Sequence, residues 1–331
     1  MRGALVLCYH RVAPAPEADP TGRGLQVASA RFRAHMEILA RRFTVVPLED
    51  LVARLADGAR TDGMAAVTFD DGYADNYLSA FPILSELSIP ATIFLTTDYI
   101  DRARPFWMER LARFVSGHLG DVVTLPAEIG GRVDLTSTAD APRAYQQLRA
   151  RLQELDDGAQ RERWLDLLGA GAPPDSRPLT WDEIRTMQRG GVAFGAHTLT
   201  HPSLPAVSNA ALRLEIDASR EMITARLAHR PAVFAYPFGD VDERVRAAVA
   251  AAGFRAAVTI RGGRCGTRPA PLLLPRAAVA DWTAEEFTRV LDALGTVPQR
   301  IRAFAATLKT KVPRPVAAVL KRTPPWRSRS G

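Results

Sequence analysis

The stretch Ala65-Ala-Val-Thr-Phe-Asp-Asp-Gly72 indicates both the fold and the place of the chemistry. Its first half, Ala65–Phe69, is a short and mostly apolar run, which is typical of a strand buried on both faces. Asp70 and Asp71 follow directly, and Gly72 permits a sharp turn because glycine adopts backbone angles that other residues avoid. The pair predicts either a solvated turn or a functional site in which the turn brings both carboxylates to one centre.

Similar apolar runs recur along the chain and alternate with amphipathic segments that have helical spacing. We predict strands at Gly3–Tyr9, Phe43–Val46, Ala65–Phe69, Ala91–Thr96, Val192–Ala196, Val233–Tyr236, Ala256–Ile260 and Leu272–Val279. Between them, Ser29 is predicted to be the N-cap of one helix and Ser208 to open another, and Thr180–Glu183 and Thr283–Glu286 have the pattern of capping boxes. This alternation predicts an α/β fold, a distorted (β/α) TIM-like barrel whose chemistry gathers at the C-terminal ends of the strands.

Two regions depart from this alternation. Residues 105–178 look mainly helical and contain the linker-like Gly-Ala-Gly-Ala-Pro-Pro at 169–174, so we predict a helical insertion in a barrel domain of residues 1–297. Residues 298–331 form a C-terminal tail, and from residue 299 onward it has nine Lys and Arg but no Asp or Glu. The first 298 residues therefore carry 34 basic and 36 acidic groups, although the whole chain has a net charge of +7. The body thus has no general field that would attract nucleic acid.

The tail and the start of the chain bear on location. Basic and apolar residues alternate over 299–331, which predicts either a peripheral contact with an anionic membrane or a disordered solubilising tail. We expect a cytoplasmic protein, because the first residues lack a signal-peptide pattern and no apolar stretch reaches the length of a membrane span. Cys8 and Cys265 are the only cysteines, too few and too far apart for a disulfide framework or a CxxC site.

Two histidines follow the fifth predicted strand. On a helical turn, the four-residue spacing of His197 and His201 places both imidazoles on one face, as in two-histidine zinc sites; two surface histidines in a loop are the alternative. Asp71 would complete a set of one oxygen and two nitrogen ligands that leaves positions open for water and substrate. This set favours Zn²⁺, and it also suits Co²⁺, Ni²⁺, Mn²⁺ or Fe²⁺.

Three segments together resemble the motifs of a known family. Thr68–Gly72 (Thr-Phe-Asp-Asp-Gly), His197–His201 (His-Thr-Leu-Thr-His) and Tyr236–Gly239 (Tyr-Pro-Phe-Gly) are similar to the first three motifs of the polysaccharide deacetylases, the NodB-homology domains of carbohydrate esterase family 4. The opening Leu7-Cys-Tyr-His-Arg-Val12 resembles the branch that acts on exopolysaccharides and poly-N-acetylglucosamine. Over residues 1–290, the resemblance implies metal-dependent hydrolysis of N-acetyl groups from a glycan substrate, with release of acetate.

The resemblance also implies the roles of single residues. The implied metal ligands are Asp71, His197 and His201. Asp70 would be the general base that takes a proton from the attacking water. The backbone N–H of Phe238, next to Tyr236 in the third motif, would stabilise the negatively charged oxygen of the tetrahedral intermediate.

The general acid is the point where this chain departs from the family. No histidine follows His229, so the late histidine motif of the family is absent. His10, at the end of the first strand, is our candidate for the acid, and a structural hydrogen bond at the barrel rim is its alternative role. Arg276 is our candidate for orienting Asp70. Iron-dependent oxygen chemistry and a non-catalytic glycan-binding module are the competing functions, and retention of Asp70 argues against the second.

Overall fold

A curled sheet of parallel strands lies at the centre of the fold. The computed structural model describes residues 3–16, 19–102, 104–155, 158–171, 176–266 and 269–295. The strands are β1 Leu5–Tyr9, β2 Arg11–Ala13, β3 Gln26–Ala28, β4 Thr44–Val45, β5 Met64–Phe69, β6 Ala91–Leu95, β7 Val122–Thr124, β8 Arg132–Asp134, β9 Ala193–Ala196, β10 Val233–Ala235, β11 Ala256–Val258 and β12 Ala277–Ala278. The helices are α1 Ser29–Arg42, α2 Leu48–Ala56, α3 Phe81–Glu86, α4 Trp107–Gly117, α5 Ala141–Gln153, α6 Gly158–Leu167, α7 Trp181–Arg189, α8 Asn209–Leu227, α9 Glu243–Ala251 and α10 Ala284–Gly295.

Seven strands form the barrel wall in the order β11-β10-β9-β6-β5-β1-β12, and all of these pairs are parallel. The short strand β4 pairs with the beginning of β5. The two ends of the wall meet, because Val258 at the end of β11 forms a parallel bridge with Leu274 just before β12. The predicted α/β class and distorted TIM-like barrel are confirmed.

Alternation along β5 shows how the barrel positions its polar residues. Val67 and Phe69 belong to the largest hydrophobic cluster, which also contains side chains of the outer helices. Ala66 belongs to a smaller cluster. Among the described helices, only α2 contributes residues to it. Both layers are buried, which explains why the strands look continuously apolar. The same period of two directs Thr68 and Asp70 to the inner side with Ala66.

The insertion between β6 and β9 has a hydrophobic cluster of its own. It contains α4, α5 and α6 and also the antiparallel hairpin β7–β8, which the sequence did not indicate. Tyr73 and Tyr99, which follow β5 and β6, pack into this cluster against Phe106. The insertion therefore lies against the C-terminal ends of the strands.

Several local predictions can be compared with the structure. The last predicted strand, Leu272–Val279, is mostly wrong: a 3₁₀ turn covers Pro271–Leu273, and β12 has only two residues. Pro271 and Pro275 explain the error, because proline cannot donate a hydrogen bond to a neighbouring strand. Ser29 does not cap α1, since its N-cap is Ala28 without a side-chain hydrogen bond.

The other predicted helix starts are confirmed. Ser208 accepts a hydrogen bond from the Ala211 N–H, and the capping boxes at Thr180–Glu183 and Thr283–Glu286 both form. No helix within the described ranges has the length and apolarity needed to cross a membrane. The proposed tail contact, residues 299–331, lies outside the described residues.

Candidate active site

The turn after β5 separates the two adjacent carboxylates. Asp71 has a φ of 74° and Gly72 a φ of 87°, so the chain turns sharply where the glycine predicted a turn. A left-handed conformation costs a non-glycine residue about 1 kcal/mol. The backbone holds Asp71 in it, because its carbonyl accepts a 3.1 Å hydrogen bond from the Thr96 N–H, and the Gly72 N–H donates to the Asp70 carbonyl at 3.0 Å. Asp70 and Asp71 consequently meet different partners.

Asp70 forms a buried ion pair with Arg276. The two guanidinium Nη atoms of Arg276 donate to the two carboxylate oxygens of Asp70, each at 2.6 Å, and neither residue is more than 2% exposed. Burial alone would raise the pKa of Asp70, but the charges of Arg276 and His197 and the hydrogen bonds from Arg276 together outweigh it and lower that pKa to about 2. The Cys8 thiol lies 3.4 Å from Asp70 Oδ2 and can donate to it. Asp70 is therefore ionised at neutral pH and held in one orientation.

Asp71, His197 and His201 converge on one point. Their ligand atoms lie within 4.8 Å of one another and all three residues are buried. The Nε2 atoms of His201 and His197 lie 3.2 Å and 3.5 Å from Asp71 Oδ1 and 3.1 Å from each other. Asp71 Oδ1 accepts no hydrogen bond, and burial lowers the pKa of His201, which favours the neutral imidazole that binds metals.

The hydrogen bond of the second ring nitrogen of His197 also supports a metal site. His197 Nδ1 lies 2.8 Å from the carbonyl oxygen of Ala235 and donates to it, so the neutral ring directs its Nε2 lone pair at the cluster. Metal-bound histidines commonly make this kind of contact with a backbone carbonyl. The donor set, the orphaned carboxylate oxygen and the fixed tautomer together fit a divalent metal.

The two histidines are brought together by a loop. The predicted helical turn is wrong: Thr198 and His201 have φ values of 69° and 60°, and residues 197–201 are not helical. Glu215 of α8 organises this loop, because its carboxylate accepts hydrogen bonds from the backbone N–H groups of Leu199 and Thr200 at 2.8 and 2.9 Å and from the Thr200 hydroxyl at 2.6 Å. The buried Glu215 carboxylate, rather than a helical turn, thus holds the loop that brings the two imidazoles together.

Sequence reasoning missed Glu215, although a signal existed. It lies three residues after Leu212 and one before Ile216, on the apolar face of α8, and it is 6% exposed. A charged residue in the apolar stripe of a helix is rarely buried unless it has partners. Burial also raises the pKa of Glu215, opposed by its hydrogen bonds to the loop.

The remaining predicted residues lie at different distances from the cluster. His10 is partly exposed, and a ring nitrogen lies within 4.8 Å of a carboxylate oxygen of Asp70. Phe238 sits in the turn Pro237–Gly239 with a φ of 58°, and its ring packs edge-on against His201 at 4.6 Å. Tyr236 is different: its ring is buried against Phe234, and its hydroxyl donates to the Leu272 carbonyl. This side chain therefore packs beneath the turn Pro237–Gly239 and does not face the metal-ligand cluster.

The insertion also contacts the site. Trp107 at the start of α4 donates its indole N–H to the His201 carbonyl at 3.2 Å, and its ring lies 6.4 Å from that of Phe238. The helical insertion therefore stabilises the backbone of one candidate metal ligand.

Comparisons with known proteins agree with this geometry. The family model described as polysaccharide deacetylase matches residues 57–257, more than half of the chain. The Bacillus subtilis protein YxkH, whose name places it with the polysaccharide deacetylases, is 34% identical over 92 residues, which are 27% of this chain and 30% of YxkH. Chitin deacetylase 2 of Saccharomyces cerevisiae is 37% identical over 75 residues, 23% of this chain and 24% of that protein. The matches thus span less than a third of either relative.

Two solved structures have a similar fold over nearly their whole length. The Streptococcus pyogenes deacetylase PplD, solved with acetate, has a TM-score of 0.59 at 18% identity and covers 87% of this chain and 97% of its own. IcaB from Ammonifex degensii has a TM-score of 0.57 at 18% identity and covers 89% of this chain and 98% of its own. At this identity the likeness shows the fold alone.

Proposed function

The chain belongs to the polysaccharide deacetylase family, and from this membership we propose that it removes N-acetyl groups from an N-acetylglucosamine-type glycan in a metal-dependent hydrolysis that releases acetate. The observation that carries the proposal is that a candidate metal site and a second, separately bound carboxylate lie together at the end of β5. An O,N,N ligand set of Asp71, His197 and His201 lies directly beside a separately held, ionised carboxylate, Asp70. A purely structural metal site has no need of the second carboxylate.

The ligand set defines what would be bound. Asp71, His197 and His201 would hold a divalent ion, and Zn²⁺ is the ion that best suits one carboxylate and two imidazoles with open positions. Bound there, the ion would supply Lewis acidity, lowering the pKa of water and polarising the acetyl carbonyl.

The residues around this ligand set would each have a different role in moving protons and stabilising charge. Asp70 would accept the proton of the attacking water, and Arg276 keeps it ionised and fixes its direction. The Phe238 N–H, presented by the turn after β10, would donate to the developing oxyanion. His10 would give a proton to the leaving amine of the sugar, since it lies beside Asp70 and remains partly exposed.

The reaction class is tested by acetate release from N-acetylglucosamine oligomers. The assay uses metal-stripped protein, with and without Zn²⁺ or Co²⁺, next to Asp71→Ala. We expect acetate only with added metal, and none from Asp71→Ala. Tight, stoichiometric metal binding without acetate from any N-acetylated glycan would contradict the proposal and favour a binding module.

The role of His10 gives a prediction that separates an acid from a structural residue. His10→Ala should lower kcat on N-acetylglucosamine oligomers by about 10²–10⁴-fold, the usual contribution of a general acid, with metal content unchanged. An aryl acetate with a good leaving group should be affected far less, because its leaving oxygen needs no protonation. The control is His229→Ala, whose side chain is 46% exposed and lies away from the site.

Equal losses on the amide and on the aryl acetate would instead indicate that His10 supports the rim of the barrel. An unaffected rate on both substrates would remove it from the mechanism.

The loop held by Glu215 gives a second prediction. Glu215→Gln replaces an acceptor of three hydrogen bonds by a group with a single carbonyl oxygen. We expect metal affinity to fall about 10- to 100-fold, the usual effect of losing a group that orients a ligand. Competition with a fluorescent chelator measures it, and Glu221→Gln, an exposed position on the same helix, is the control. An affinity equal to that of the unmodified protein would mean that the loop is rigid without Glu215.

A further inference from the structure

The insertion places a positive charge next to the candidate active site. Arg149 of α5 lies with its guanidinium carbon 4.8 Å from the centre of the Phe238 ring. The Phe238 ring in turn packs against His201 at 4.6 Å. A single aromatic ring therefore lies between this guanidinium and a candidate metal ligand, and Arg149 is partly exposed.

Among the described residues, Arg149 differs from the other arginines near the site because its guanidinium forms no ion pair. Arg276 pairs with Asp70, and Arg23 pairs with Glu109. Two further arginines of the insertion are also satisfied: Arg110 by the Glu162 carboxylate, and Arg161 by the Leu152 and Thr200 carbonyls. Within the part of the chain that the structure describes, Arg149 has neither an ion pair nor a hydrogen bond, and its buried Nε is unsatisfied.

The contact with Phe238 does not replace a partner. A cation over an aromatic face is attracted by the ring, but this contact leaves the in-plane N–H donors of the guanidinium unused. A guanidinium presents those donors as a planar fork that matches a carboxylate or a phosphate. The first 298 residues have 34 basic and 36 acidic groups, so the body carries no net positive charge. An anion would therefore be attracted by Arg149 itself and not by a general positive field.

We propose that Arg149 binds an anionic group of the glycan, a carboxylate or a phosphodiester, carried near the sugar whose N-acetyl group is removed. The inference rests on the proposed deacetylase function and narrows its substrate class to acidic glycans. Arg149 is then a specificity-determining residue that the insertion adds to the rim of the barrel.

The test compares kcat/KM for acetate release on three sets of oligosaccharides of equal length: neutral N-acetylglucosamine oligomers, oligomers with an adjacent uronic acid, and oligomers with an adjacent phosphodiester. We expect a preference for at least one acidic set that weakens as salt is added. Arg149→Met keeps an apolar side chain on Phe238 and should lower the ratio of acidic to neutral kcat/KM about 10- to 100-fold, the value of a charge-assisted hydrogen bond. Arg149→Lys should keep part of the preference.

Matched variants separate the inference from the function on which it rests. Arg143→Met, an exposed position on the same helix α5, should leave the ratio unchanged. Acetate release without any acidic preference, or equal losses on all sets in Arg149→Met, would overturn the inference and leave the deacetylase function standing.

A binding assay covers the case in which no substrate is turned over. Acidic oligomers should bind Asp70→Asn protein more weakly when Arg149→Met is added, and neutral oligomers should not. Equal binding by the two proteins would also overturn the inference.

Discussion

Asp70→Asn is expected to lower kcat for acetate release by about 10²–10⁴-fold, the usual contribution of a general base, while the protein keeps its metal. The amide has almost the same shape as the carboxylate and still offers an oxygen to Arg276, but it cannot accept the proton of the attacking water. Asp70 makes no contact with the histidine pair comparable to that of Asp71 Oδ1, so the ligand set should stay intact. Metal content by mass spectrometry and acetate release under single-turnover conditions measure the two effects.

The neighbouring residue provides the matched comparison. Asp71→Asn should lose metal affinity as well as activity, because Asp71 Oδ1 is the atom on which both imidazoles converge. The adjacent positions thus have opposite expected effects on metal content. Loss of metal in Asp70→Asn together with retention in Asp71→Asn would show that the two carboxylates have exchanged roles.

The sequence predicted the parts of this site that depend on local order along the chain. Continuous apolar runs identified the barrel strands, and the rule that chemistry gathers at strand ends brought Asp70, Asp71 and the two histidines into one region. Gly72 indicated the sharp turn at the end of β5. These inferences succeed because strand burial and turn formation are decided within a few residues.

The parts that failed depend on contacts between distant residues. The spacing of His197 and His201 predicted a helical turn, whereas a loop held by Glu215 brings them together. The last predicted strand follows Pro271 and is interrupted by Pro275, yet its polar residue, Arg276, still reaches Asp70. Neither hydrophobic periodicity nor motif spacing predicts which buried charged residue will form an ion pair or a hydrogen bond with which distant residue.

Arg276→Met is expected to have the largest effect on stability, because it leaves the Asp70 carboxylate buried without its counter-charge. Breaking a buried ion pair by removing one partner usually costs about 3–5 kcal/mol. The free energy of unfolding, measured with urea on metal-free protein at neutral pH, should fall by that amount. Arg31→Met is the control: its pair with Asp281 is also short, but the two side chains are 42% and 32% exposed, so a loss of at most about 1 kcal/mol is expected.

The double variant Asp70→Asn/Arg276→Met distinguishes a lost pair from a damaged core. With both charges gone, no uncompensated ion remains in the barrel, so the double variant should regain much of the stability that Arg276→Met loses, although it stays inactive. Replacing a whole buried pair by neutral groups is often close to neutral in free energy. A double variant no more stable than Arg276→Met would mean that Arg276 acts mainly through its bonds to Thr68 and the Thr259 carbonyl. Recovery would instead show that Arg276 is retained to keep the Asp70 carboxylate charged inside the barrel.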